Sequence, residues 1–179
     1  MALMVRASTA IAAALMLAGV SGCTVQPLLA THVETFGRAS TPSLSSIFVN
    51  PVATRYAQEV RNELIFLLNG GAGQPAAPRY KLDLSVALSV TSAAEIQIAR
   101  ENEPTAGTVT LTGIYRLTDA ATGQPVAQGR RQVMSAFDRP LQEFAVLRAQ
   151  RDAEDRAARE LAEQLRLAVA QDMARLNLR

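Results

Sequence analysis

The stretch Tyr80-Lys-Leu-Asp-Leu-Ser-Val-Ala-Leu-Ser-Val90 decides the fold. Tyr80, Leu82, Leu84, Val86, Leu88 and Val90 alternate with Lys81, Asp83, Ser85, Ala87 and Ser89. Successive side chains of a strand point to opposite faces, so period two gives a strand with one apolar and one polar face. Such a strand needs an apolar layer to cover it, and the chain downstream supplies partners. Ile96 and Ile98 read as a second, shorter strand segment, and Val109, Leu111, Ile114 or Tyr115, and Leu117 mark a long strand behind Thr108. Asp119-Ala-Ala-Thr-Gly123 holds turn residues between two strand patterns and predicts a hairpin. The returning strand runs from about Val126 to Phe137, with Ala127, Gly129, Arg131, Val133, Ser135 and Phe137 on one face. Arg130 and Arg131 disturb its alternation.

Upstream, Ser46-Ile-Phe-Val49 is a short apolar strand pattern followed by Asn50-Pro51. Asn50 suits an N-cap, and proline suits the first helical position, where its missing N–H costs nothing. Val52, Tyr56, Val60, Leu64 and Leu67 then recur at intervals of four and three and predict an amphipathic helix over 51–69, closed by Gly70-Gly71. Gly70 to Pro78 reads as a loop. Beyond Asp138-Arg139-Pro140 the pattern is helical nearly to the end, with Ala153, Ala157, Leu161, Leu165 and Ala168 as a stripe extended by Met173 and Leu176. Asp152/Arg156 and Asp155/Arg159 are acid-before-base pairs at i,i+4, worth a few tenths of a kcal/mol each. The order is β–α–β–β–β–α. One-sided strands and one-sided helices are both satisfied by an α+β two-layer sandwich, two helices on one face of a mostly antiparallel four-stranded sheet. The opposite face, with Lys81, Asp83, Ser85, Thr108, Thr110, Thr112 and Arg116, is polar and is either solvent-facing or a docking surface.

Composition excludes more than it proposes. The chain has 179 residues, enough for one ordinary domain with a tail. Its 18 Lys+Arg balance 16 Asp+Glu to a net +2. The arginines are scattered among acids and Lys81 is the sole lysine, so no clustered basic face for nucleic acid is expected. With one cysteine, Cys23, and one histidine, His32, neither a structural zinc site nor an internal disulfide is available. The same scarcity removes Ser-His-Asp and Cys-His catalysis. Gly70-Gly71-Ala72-Gly73 ends a helix and lacks the lysine of a phosphate loop. Glu101 and Glu103 sit in a presumed hairpin tip without aromatic platforms. The expectation is a protein that is not an enzyme and needs no metal.

Residues 1–22 read as a signal peptide: Arg6 supplies the positive charge and Ile11 to Val20 an uncharged apolar core too short to span a bilayer. Val20-Ser21-Gly22-Cys23 resembles a bacterial lipobox. That resemblance implies cleavage before Cys23, a diacylglycerol on its thiol and an N-acyl chain (palmitate) on its amine, with no other cofactor. Two or more acyl chains hold a protein stably on a membrane, at about 0.8 kcal/mol per buried methylene. Thr24 stands where an aspartate would resemble an inner-membrane retention signal, which favours the outer membrane. Residues 23–43, with Pro27, Gly37 and Pro42, read as lipidated N-terminus and tether, and His32 as a solvated linker residue. Residues 44–179 form the single domain.

Several segments together resemble the lipopolysaccharide-assembly lipoproteins of the LptE family, in an alphaproteobacterial-like form. They are Cys23-Thr-Val-Gln-Pro27-Leu-Leu, the helix Tyr56-Ala-Gln-Glu-Val-Arg-Asn-Glu-Leu64 with Arg61, Asn62 and Leu64, the strand Tyr80-Lys-Leu-Asp-Leu84, the Tyr115-Arg-Leu-Thr-Asp119…Thr-Gly123 hairpin and the Ala-rich terminal helix. Thr24, Val25 and Leu29 depart from the glycine and aromatics common in relatives. The resemblance implies a plug inside the LptD outer-membrane β-barrel, assisting its assembly and the delivery of lipopolysaccharide to the outer leaflet. It also implies contact with lipopolysaccharide itself. Guanidinium pairs bidentately with phosphate, which makes Arg100, Arg130 and Arg131 the residues expected to meet lipid A. The alternative is an auxiliary lipoprotein of a phospholipid-trafficking ABC transport system, which would expose an apolar groove between helix and sheet.

Overall fold

The alternating stretch at Tyr80 becomes an inner strand of a four-stranded sheet with strand order β1-β2-β3-β4. The strands are β1 (Ile47–Val49), β2 (Tyr80–Ser92), β3 (Ala106–Asp119) and β4 (Pro125–Asp138). Helix α1 (Arg55–Asn69) follows β1, and helix α2 (Glu143–Leu176) follows β4. β1 lies parallel to β2; β2/β3 and β3/β4 are antiparallel. This is the β–α–β–β–β–α two-layer sandwich that the sequence predicts. The computed structural model describes residues 44–92 and 106–176. The signal segment, Cys23, the tether with His32, the Ile96/Ile98 segment, Arg100, Glu101 and Glu103 lie outside the described residues.

The strand faces follow the alternation. Val109, Leu111, Tyr115 and Leu117 of β3 are buried and Ile114 is exposed, so parity assigns Tyr115 to the core. On β4, Val133 and Phe137 are buried on the same side as half-buried Arg131 and Ser135. The hairpin between β3 and β4 closes at Asp119. Its Oδ1 accepts the N–H groups of Ala121 and Thr122 at 2.9 Å each, and Gly123 follows with φ 71°. The Thr122 N–H, foremost, holds the Asp119 carboxyl below its ordinary range. A register shift at Leu117/Thr118 sets Thr118 against Pro125 and leaves Val126 over.

α1 starts four residues later than the spacing predicts. Asn50 does not cap it: its N–H extends the ladder to the Leu82 carbonyl at 2.9 Å and its side-chain amide donates to Asp83 at 2.6 Å. Residues 51–54 then cross from the sheet to the helical layer, and the first helical bond runs from Gln58 N–H to the Thr54 carbonyl at 2.9 Å. Gly70, at φ 58°, ends the helix in the left-handed conformation, where glycine pays no Cβ penalty. Val60, Leu64 and Leu68 are buried.

α2 is one unbroken helix of 34 residues, about 50 Å long at 1.5 Å per residue, matching the length of β3. Its buried surface is wider than the single stripe read from the sequence, because Ala158, Ala162 and Val169 are buried beside Ala157, Leu161 and Leu165. The helix touches both the sheet and α1. Small residues permit this approach from both sides. A Cβ added at Gly113 of β3 would meet Leu161 at 3.2 Å and Leu165 at 3.3 Å, so the bare glycine backbone is the floor on which α2 lies. Each fully buried leucine here contributes about 1.5–3 kcal/mol. Arg55 joins the helices, donating to Glu154 at 2.7 Å and Asp155 at 2.9 Å; Glu154 is 8% exposed and also accepts Gln150 at 3.0 Å.

α1 covers only the lower end of β2. Tyr80 and Leu82 are buried, Leu84, Val86 and Leu88 are half-buried, and Val90 is 38% exposed. The alternation in β2 is uniform, and its burial is not.

Candidate interaction surface

The face of the sheet away from the helices has no covering layer among the described residues. Strand register lays it out in cross-strand rows: Asp83, Arg116, Gln128; Ser85, Ile114, Arg130; Ala87, Thr112, Gln132; Ser89, Thr110, Met134; Thr91, Thr108, Ala136. The upper three rows carry no charge. Small hydroxyl and amide side chains dominate there, and Thr112 Oγ1 donates to Gln132 Oε1 at 3.4 Å. Ile114 and Met134 are exposed on this face at 51% and 63%. The lower rows carry Asp83, Arg116 and Arg130. Arg116 and Arg130 are diagonal neighbours across one register step. Arg116 also stands directly opposite Asp83, so the lower rows carry charge of both signs below the neutral rows of hydroxyl and amide side chains.

The structure separates the arginines expected to act together. Arg130 is exposed on the outer face. Arg131, the next residue along the strand, turns to the helical side, is half-buried and donates through Nη1 to the Arg130 carbonyl at 2.7 Å. Arg100 lies outside the described residues. The sequence reading placed Arg116 on the polar face without setting it beside Arg130. The pairing is countable from the Asp119–Gly123 turn once the extra residue at Val126 is known, and no period-two pattern reveals that residue.

Arg131 instead borders a buried polar contact. Tyr115 donates its hydroxyl to Asp172 Oδ2 of α2 at 2.5 Å, and Asp172 Oδ1 stands 3.6 Å from Arg175. Burial first, and then this bond to a carboxylate, push the phenol well above its ordinary value, while Arg131 and Arg175 act weakly the other way. The Tyr115 ring lies on Gly129 of β4, where an added Cβ would fall 2.6 Å from Cε1. Beside it, Val126, Gln128, Asp172 and Arg175 border a depression of about 200 Å³. Small-molecule sites usually span about 300–1,000 Å³. Among the described residues no group of His, Cys, Asp and Glu could hold a metal ion, and no helix is long and apolar enough to cross a membrane.

Comparison with known proteins agrees with this architecture. The chain matches a candidate lipoprotein of known structure from Caulobacter crescentus CB15 at 31% identity over 74% of this chain and 93% of that one, with a TM-score of 0.59. Rare lipoprotein B from Shewanella oneidensis matches at 10% identity and TM-score 0.55 over 73% of this chain and 96% of that one. A minor lipoprotein from Acinetobacter baumannii matches at 12% identity and TM-score 0.52 over 70% and 89%, respectively. The last two share the fold. No curated protein matches the chain significantly. The sequence profile of the family described as LptE, lipopolysaccharide-assembly, matches residues 44–169, which run from the turn before β1 into the last third of α2. The chain belongs to the LptE lipopolysaccharide-assembly family.

Proposed function

We propose that this protein is an outer-membrane lipoprotein, lipidated at Cys23 and of the alphaproteobacterial type. In this reading it plugs the lumen of the LptD β-barrel, assists the barrel's assembly and helps deliver lipopolysaccharide to the outer leaflet. The observation that carries the reading is the family match, which takes in all four strands, α1 and most of α2. The uncovered sheet face agrees with it. A barrel interior is lined by polar side chains and water, and a face of small hydroxyl side chains suits that environment. The anchor is expected to reach the membrane through the tether, since twenty residues span at most about 70 Å. Within this reading Arg130, joined by Arg116, is the phosphate contact, and Arg131 and Arg175 flank the Tyr115–Asp172 bond.

The test is to tag the carboxyl terminus, extract membranes in mild detergent and identify co-purifying proteins by mass spectrometry. A stoichiometric large outer-membrane barrel is the expected result. Recovery of phospholipid-transporter components without a barrel overturns the reading.

A further inference from the structure

We draw no further inference here: the strongest candidate, the exposed apolar patch of Val90 on β2 with Leu141, Phe144 and Leu147 around the start of α2, lies at the end of the sheet that leads into residues 93–105, outside the described residues, and nothing in the structure shows what covers it.

Discussion

Replacing Tyr115 with phenylalanine isolates one contact between sheet and helix. The ring would still lie on Gly129 and fill the same core, so no cavity opens, and only the 2.5 Å bond to Asp172 is lost. A hydrogen bond to a charged group is worth about 1.5–3 kcal/mol. The Asp172 side chain is 18% exposed and keeps Arg175 at 3.6 Å, so it is not left wholly unpaired. The lower figure, about 1.5 kcal/mol, is the expected loss near neutral pH. For a domain of this size that lowers the melting temperature by about 5 °C. The pH dependence supplies a second signature. The phenol is raised above its ordinary 10.0 in the folded state, so its contribution is fully present below pH 10.0 and is lost as pH rises beyond it. Wild type should lose stability there at up to about 1.4 kcal/mol per pH unit relative to Tyr115→Phe, so the curves converge near pH 11. Lys81 is the sole lysine and there are three tyrosines, so few other groups titrate in that window. Urea unfolding across the alkaline range measures both effects. A variant as stable as wild type at pH 8, with a parallel alkaline limb, would refute the argument.

Other expectations follow from the same geometry. Gly129→Ala drives a Cβ into the Tyr115 ring and should destabilise by about 1–3 kcal/mol in urea unfolding, an overpacking cost that Tyr115→Leu should partly relieve. Arg55→Ala removes the partner of Glu154 and Asp155. Because Arg55 is half exposed, the loss should be about 1–2 kcal/mol, and adding Glu154→Gln should recover part of it in a double-mutant cycle. Under the proposed function, Arg116→Glu with Arg130→Glu should weaken binding to lipopolysaccharide at least tenfold without lowering the melting temperature; unchanged binding removes both residues from the site. Cys23→Ala should abolish incorporation of labelled acyl chains and release the protein from the membrane fraction.

The elements were legible wherever one periodicity ran uninterrupted. Tyr80–Val90, Val109–Leu117 and the Asp119–Gly123 turn gave strands and a hairpin because side-chain alternation and turn chemistry are local. The Asn50-Pro51 pair misled for a tertiary reason. It carries a strong helix-start pattern, yet the Asn50 N–H is already engaged by Leu82 across the sheet, so the helix waits until Arg55. The candidate site was half legible. Arg130 and Arg131 stand out as a break in a strand, but adjacent strand residues face opposite ways, so a sequence pair becomes two separate environments. Arg116 joins Arg130 only through the β3/β4 register, which the extra residue at Val126 shifts.

By itself the sequence determined the element order, the polar and apolar faces and the scarcity of histidine and cysteine. All of these rest on residue type and short-range spacing. Only the tertiary structure decided which arginines become neighbours, which helix residues are buried twice over and which strand edges are closed. Those depend on register and on the reach of long side chains such as Arg61, Arg131 and Arg156 to backbone carbonyls elsewhere in the chain. β2 is the clearest case. Its alternation is the most regular in the chain, yet Tyr80 and Leu82 are buried while Val90 is 38% exposed, because burial depends on what packs over each position.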